Sequence, residues 1–315
     1  MTTRSVEVDG RTIEVPRWDK VLFPDDGLTK GDLVCYYQRI APTMLPHVRG
    51  RLVSLQRFPN GIAEAGFFQK EAPDYFPDWM PRWSVYVHED ERHQPQVYLD
   101  TAATLVYLAA QATITPHVWL SRVPHITRPD RLIFDLDPPE GASFEVVRRA
   151  ALDLRATLQQ LDVPAFAMTT GSRGLHVVVP LQADAVFEET RALARAIAEH
   201  LARQFPERYT TALRREERRG RLFLDYLRNA YGQTTVAPYA VRARPGAPVA
   251  TPLDWRDVQR PDMHAQRFTV RTIFRRLAQK PDPWREIDRR AVSVRSLHNA
   301  LQRHGINPSP EDERR

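Results

Sequence analysis

Cysteine and lysine are nearly missing from this chain. Its 315 residues include one cysteine, Cys35, and only four of its 45 Lys and Arg residues are lysines. A single cysteine excludes an internal disulfide and points to a reducing compartment. Long apolar runs are missing too. No stretch approaches the ~20 residues of a membrane span, and no signal peptide is visible. A cytoplasmic protein with no membrane partner is therefore expected. No internal repeat or low-complexity linker interrupts the chain. What remains is an ordinary globular balance, 42% hydrophobic and 27% charged, with ample length for a core. The net charge of +6 favours a polyanionic partner.

Where arginine is the default base, a lysine is a candidate for special chemistry. An ammonium is a compact point charge suited to a terminal phosphate, whereas a guanidinium prefers a bidentate fork. Lys20, Lys30 and Lys70 all fall in the first quarter of the chain.

The hydrophobic pattern predicts a hairpin over Val6–Val15, turning at Asp9-Gly10. Thr29, with Asp32 three residues on, reads as the cap of an amphipathic helix reaching about Leu45. Strands are expected at Leu52–Phe58, Phe67–Lys70, Val85–His88 and Val97–Leu99, with His88–Gln96 a projecting tip and a helix over about Ala102–Ala112. From Leu132 the order becomes strand, helix (Phe144–Leu161), strand (Ala165–Thr169), strand (Leu175–Pro180), helix (Ala185–Gln204), then strands near Leu222–Tyr226 and Thr234–Val241. That β-α-β-β-α-β order predicts an α+β fold, with a ferredoxin-like or RNA-recognition-type (RRM) sheet carrying helices on one face. Further helices are expected near Val270–Gln279 and Ser293–His304. The domain reading is an N-terminal α/β subdomain over 1–125, a catalytic RRM-like subdomain with C-terminal helices over 126–305, and a disordered tail over 306–315.

Three elements carry chemistry. Asp135 and Asp137 close the apolar run Arg131–Phe134 and project from one face of a strand. Two neighbouring carboxylates repel unless a cation lies between them, and hard oxygens suit Mg²⁺ or Mn²⁺. The same D-x-D spacing occurs in haloacid-dehalogenase-type phosphatases, although Pro138 stands where that motif normally continues with Thr or Val. An Asp that merely caps the next helix is the bland alternative. The second element, Thr170 to His176, supplies glycines for close phosphate approach and donors from Ser172, Arg173 and His176, or else is a simple strand-connecting turn. The third, Leu222–Tyr226, carries the lone carboxylate Asp225 in an apolar strand. Burying it demands a partner, which a metal shared with Asp135 and Asp137 supplies. On a strand, Arg242 and Arg244 would share a face, a pairing suited to a triphosphate.

Taken in order, these motifs resemble the archaeo-eukaryotic primase superfamily, specifically the polymerase domain of bacterial ATP-dependent DNA ligase D used in non-homologous end joining. The resemblance runs from Trp18-Asp19-Lys20 to Asp254-Trp255. Its most specific passages are Asp225-Tyr226-Leu227-Arg228-Asn229 and Thr235 to Val249. It implies a DNA-end-repair polymerase that adds nucleotides, often ribonucleotides, to 3′ ends and short gaps. Asp135, Asp137 and Asp225 match its metal triad, for two Mn²⁺ or Mg²⁺ ions. NTP or dNTP substrates would meet His117, Ser172, Arg173, His176, Arg242 and Arg244. Lys20 and Lys30 match lysines that bind a recessed 5′-phosphate, and Phe67 and Phe68 match an aromatic pair stacking on the template, with one of the two expected in the core. The His88–Gln96 tip falls where the family has an end-aligning loop. Gapped and double-stranded DNA ends, Ku and an ATP-dependent ligase are the implied partners, at the bacterial nucleoid. A primase that starts strands de novo, the phosphatase, and an inactive DNA-end-binding scaffold are the competing readings. Gln56 precedes Arg57 where some relatives carry another basic residue, and no K-x-D-G ligase motif or phosphoesterase segment is present.

Overall fold

Asp9 and Gly10 both take left-handed backbone (φ 50° and 70°), the conformation of a tight hairpin turn matched to strand twist. They join Arg4–Val8 to Arg11–Val15 in antiparallel register. The computed structural model describes residues 2–87 and 91–308. It shows two compact units: one takes the chain up to Pro124 with Thr234–Ala250 and Phe268–Gln279, the other His125–Gln233, Thr251–Arg267 and the chain from Lys280.

In the first unit, Thr29 and Asp32 form a complete capping box for the helix Lys30–Val48. The Asp32 carboxylate accepts from Thr29 N–H at 2.8 Å, and Asp32 N–H donates to Thr29 Oγ1 at 3.2 Å. The helix carries Pro42 and Pro46 and still runs past the expected end at Leu45. It packs against a second helix, Ala102–Ala110. The sheet beside them runs in the order Thr234–Val236, Thr113–Trp119, Arg51–Arg57, Arg92–Leu99, Arg82–Val87, and Phe67–Gln69 also pairs with Arg51–Arg57.

Two features depart from the hydrophobic pattern. The strand Thr113–Trp119 reads poorly because Pro116 contributes no N–H, yet the segment pairs on both sides. The strand at Thr234 stops at Val236 and pairs with Thr113–Trp119, so it completes this sheet. Of the expected tip His88–Gln96, residues 88–90 lie outside the described residues, and Arg92–Gln96 is strand paired with Trp83–Val87.

The second unit is built on a sheet ordered Tyr209–Thr210, Leu222–Asp225, Arg131–Asp137, Leu175–Pro180, Phe166–Thr169, Pro252–Leu253. Its four inner strands have the ferredoxin-like order, and the fold class is α+β. The helices Phe144–Gln160 and Phe187–Gln204 pack on the sheet and on each other. Leu132, Phe134 and Leu136 have no solvent exposure, so alternation sends Asp135 and Asp137 to the face away from the helices. Order persists into the expected tail: Ile306 is buried and its N–H donates to Leu301 O at 2.9 Å. Residues 309–315 lie outside the described residues.

Candidate active site and DNA-binding surface

Strand register decides which carboxylates meet. On the strand Arg131–Asp137, Asp135 lies opposite Asp225 on one neighbour and opposite His176 on the other. The imidazole Nε2 of buried His176 is 3.4 Å from Asp135 Oδ1, and Arg228 Nε is 3.7 Å from Asp135 Oδ2. Asp137 follows two residues along the same face, opposite Phe223.

The electrostatics record the crowding. Asp137 opens to solvent, yet enough protein surrounds it that desolvation raises its pKa, with the Asp135 carboxylate adding to the rise. Asp225 is raised too, first by burial and also by Asp135, against the lowering effect of Leu227 N–H, which donates to its Oδ1 at 2.7 Å. Among the described residues, no group of three or more His, Cys, Asp or Glu side chains has converged into a metal-holding set. The three aspartates therefore form a row, not a closed cage. Hard, mutually repelling oxygens in a row still fit a divalent cation, which would relieve the repulsion.

Backbone constraints hold this row. A Cβ on Gly174 would come within 2.3 Å of Leu136 O and 2.6 Å of Asp137 Oδ1, so only glycine lets the 170–174 turn lie against the strand. The turn closes on Thr170: its Oγ1 accepts from Gly174 N–H at 3.2 Å and from Ser172 N–H at 3.3 Å. Asn229, fully buried, pins the segment after Asp225. Its Oδ1 accepts from Ile133 N–H at 2.8 Å, and its Nδ2 donates to Ile133 O and Tyr226 O at 2.7 Å each. Neither Asn229 nor Arg228 announces a role through composition or periodicity. A cavity of about 720 Å³ opens beside the row, lined by Asp135, Asp137, Arg173, Arg218, Phe223 and Asp225 among others. A second hollow of about 360 Å³ borders Asp225, Arg191 and Arg228.

The remaining candidates belong to the first unit. Lys30 opens the helix, and its Nζ donates to Pro16 O at 2.8 Å; Lys20 Nζ donates to Asn60 Oδ1 at 3.0 Å. Lys30 is buried, and its pKa falls to about 8, mainly through desolvation and then through the positive charges of Arg17, Lys20 and Arg57. A desolvated ammonium among like charges is a strong site for an anion.

Phe67 and Phe68 are both exposed, at 47% and 57%, so neither is the core residue expected of the pair. Successive strand residues take opposite faces, and this short strand pairs on one side only. His117 lies on the strand Thr113–Trp119 with its ring 5.3 Å from that of Phe68. Arg242 and Arg244 do not share a strand face. The chain turns there at Pro245-Gly246, and Arg244 N–H donates to Arg242 O at 2.8 Å. Lys20, Lys30, Phe67, Phe68, His117, Arg242 and Arg244 thus sit in one unit, and Asp135, Asp137, Ser172, Arg173, His176 and Asp225 in the other.

Residues 29–284 match the family model described as LigD, primase-polymerase domain. The chain is 33% identical over 295 residues to the multifunctional non-homologous end joining protein LigD of Mycolicibacterium smegmatis, an alignment covering 93% of this chain and 38% of that protein. It is 32% identical over 267 residues to the bifunctional non-homologous end joining protein LigD of Bacillus subtilis, covering 84% and 42%. The chain thus spans about two fifths of the length of these relatives. Its structure is similar to the polymerase domain of Mycobacterium tuberculosis ligase D in complex with DNA, with TM-score 0.83 and 30% identity over 89% of this chain and 99% of that one.

Proposed function

This chain belongs to the LigD primase-polymerase family, and on that premise we propose that it is a primase-type DNA-end-repair polymerase. In this reading it is a metal-dependent nucleotidyltransferase that adds ribo- or deoxyribonucleotides to 3′ ends and into short gaps of 5′-phosphorylated DNA during non-homologous end joining. The observation that carries the reading is the Asp135–Asp225 pair, with Asp137 beside it, on the helix-free face of a ferredoxin-like sheet.

Asp135, Asp137 and Asp225 would hold two Mg²⁺ or Mn²⁺ ions, which when bound lower the pKa of a primer 3′-hydroxyl and neutralise the leaving pyrophosphate. His176 steadies Asp135 from the neighbouring strand and, with Ser172 and Arg173, offers donors to a triphosphate. Arg242 and Arg244 add guanidinium contacts to phosphate oxygens, and His117 contacts the incoming sugar. Lys20 and Lys30 bind the 5′-phosphate across the gap, while Phe67 and Phe68 stack on template bases. Ku and an ATP-dependent ligase are the partners implied, at the nucleoid. No helix among the described residues is long and apolar enough to cross a membrane.

The test is extension of a gapped duplex with and without a 5′-phosphate, with Mn²⁺ or Mg²⁺ and either sugar type. Asp225→Ala is expected to abolish extension while DNA binding persists. Full extension by that variant would sink the metal-triad reading.

A further inference from the structure

Phe67 and Phe68 serve two different surfaces, and the one carrying Phe67 is larger than the pair. The strand Phe67–Gln69 pairs with Arg51–Arg57 so that Phe67 faces Arg57, Phe68 faces Gln56, and Gln69 faces Leu55. Alternation puts Phe68 on one side, where its ring meets His117. Phe67 lies on the other with Arg57, whose guanidinium is 5.6 Å from the ring centroid.

Arg57 is fixed there. Its Nε donates to Gln111 O at 3.0 Å, and its Nη1 donates to Gln69 Oε1 at 2.6 Å and to the Tyr75 hydroxyl at 2.8 Å. Tyr75 therefore joins the Phe67 side. Its ring is anchored edge-on to buried Phe76 at 5.2 Å, yet it is 61% exposed, more than either phenylalanine. Two open rings around an immobilised guanidinium present flat aromatic faces suited to a planar ligand. The surrounding charge selects the ligand's sign: Arg57 acts on Lys30 together with Lys20 and Arg17.

We propose that Arg57, Phe67 and Tyr75 form a stacking surface for unpaired DNA bases adjoining the 5′-phosphate, with Tyr75 as a further base-binding residue. The rings take base faces, which every base offers, and the guanidinium contributes cation–π contact and charge towards the backbone. Phe68 then belongs to the His117 side and has no part in this surface. The inference rests on the reading of this chain as a DNA-end protein, but not on catalysis.

Its test is fluorescence anisotropy without nucleotide or added metal. A labelled duplex with a short single-stranded gap is compared with a fully paired duplex of the same length, each with and without a 5′-phosphate at the labelled position. Tyr75→Ala is expected to weaken gapped-DNA binding by at least about fivefold, the low end for loss of one base–aromatic stack. Binding to the fully paired duplex and the 5′-phosphate preference should be unchanged. Tyr75→Phe keeps the ring and should retain most of the affinity. In the Phe67→Ala/Tyr75→Ala pair the losses should be coupled, whereas Phe68→Ala and Tyr75→Ala should add. Unaltered gapped-DNA affinity in Tyr75→Ala, or an equal loss on fully paired DNA, overturns the proposal and leaves the polymerase reading standing. Full extension by Asp225→Ala overturns the polymerase reading alone. A wild-type chain that binds no gapped DNA overturns both.

Discussion

At the scale of single residues, Lys30 and Gly174 show how position creates chemistry. Lys30 is held at a pKa of about 8 by burial and neighbouring positive charge, so it is charged below that pH and loses its proton as pH rises through it. A terminal phosphate stays largely dianionic over the same range. With Lys30 as the proposed phosphate ligand, the preference for 5′-phosphorylated DNA should be greatest well below pH 8 and fall as pH rises through it, in a binding titration from pH 7 to 9.5. Lys30→Arg, which keeps its charge, should flatten the profile. A wild-type preference that stays flat to pH 9.5 would count against Lys30 as the phosphate ligand. Gly174→Ala forces a methyl against Leu136 O and Asp137 Oδ1 and should cost about 1–3 kcal/mol in chemical denaturation, with extension reduced further than stability alone explains. Lysine scarcity singles out Lys20 and Lys30 in the sequence because charge type is a local property. Tyr75 and Asn229 stay hidden because their roles depend on partners 18 and up to 96 residues away.

Among secondary-structure elements, caps and ties carry the argument. Thr29 closes the capping box immediately before Lys30, so it sets both the helix start and the position of that ammonium. Thr29→Ala should cost about 1 kcal/mol in thermal or urea unfolding and weaken 5′-phosphate binding as well. Asn229→Ala removes three bonds, two of which tie the chain after Asp225 to Ile133 on the strand Arg131–Asp137 and one of which closes its own turn on Tyr226 O, leaving buried backbone groups unmet. A loss of about 2–3 kcal/mol is expected, with divalent-metal affinity, read by calorimetry, falling alongside it. The hairpin at Asp9-Gly10, the capping box and the β-α-β-β-α-β order were legible because each is written in local turn chemistry or periodicity. The strand Thr113–Trp119 was not, since Pro116 argues against a strand and only pairing on both edges overrides it. Arg242 and Arg244 looked like one strand face for the opposite reason: alternation was visible, but the turn at Pro245-Gly246 ends extended structure first.

For the whole molecule, charge and connectivity matter most. With a net charge of +6, binding to DNA should be salt-dependent. Replacing Lys20 and Lys30 together should lower the slope of log affinity against log salt by about 1–2 on 5′-phosphorylated DNA, and by less on unphosphorylated DNA. An unchanged slope on phosphorylated DNA would show that neither lysine meets a phosphate. Connectivity bears on how the chain is made. The first unit is not finished when Pro124 is reached, because Thr234–Ala250 and Phe268–Gln279 belong to it. Until Thr234–Val236 emerges, the edge of Thr113–Trp119 that it covers has no strand to pair with. A nascent chain halted near residue 124 would therefore display a bare β-edge, a template for association with other chains. The second unit's ferredoxin-like strands, Arg131 to Asp225, are synthesised entirely within that interval. During translation the later unit thus has its inner strands in hand before the earlier one can close, and the segment from Lys280 that finishes the later unit emerges only after Phe268–Gln279 has finished the earlier one.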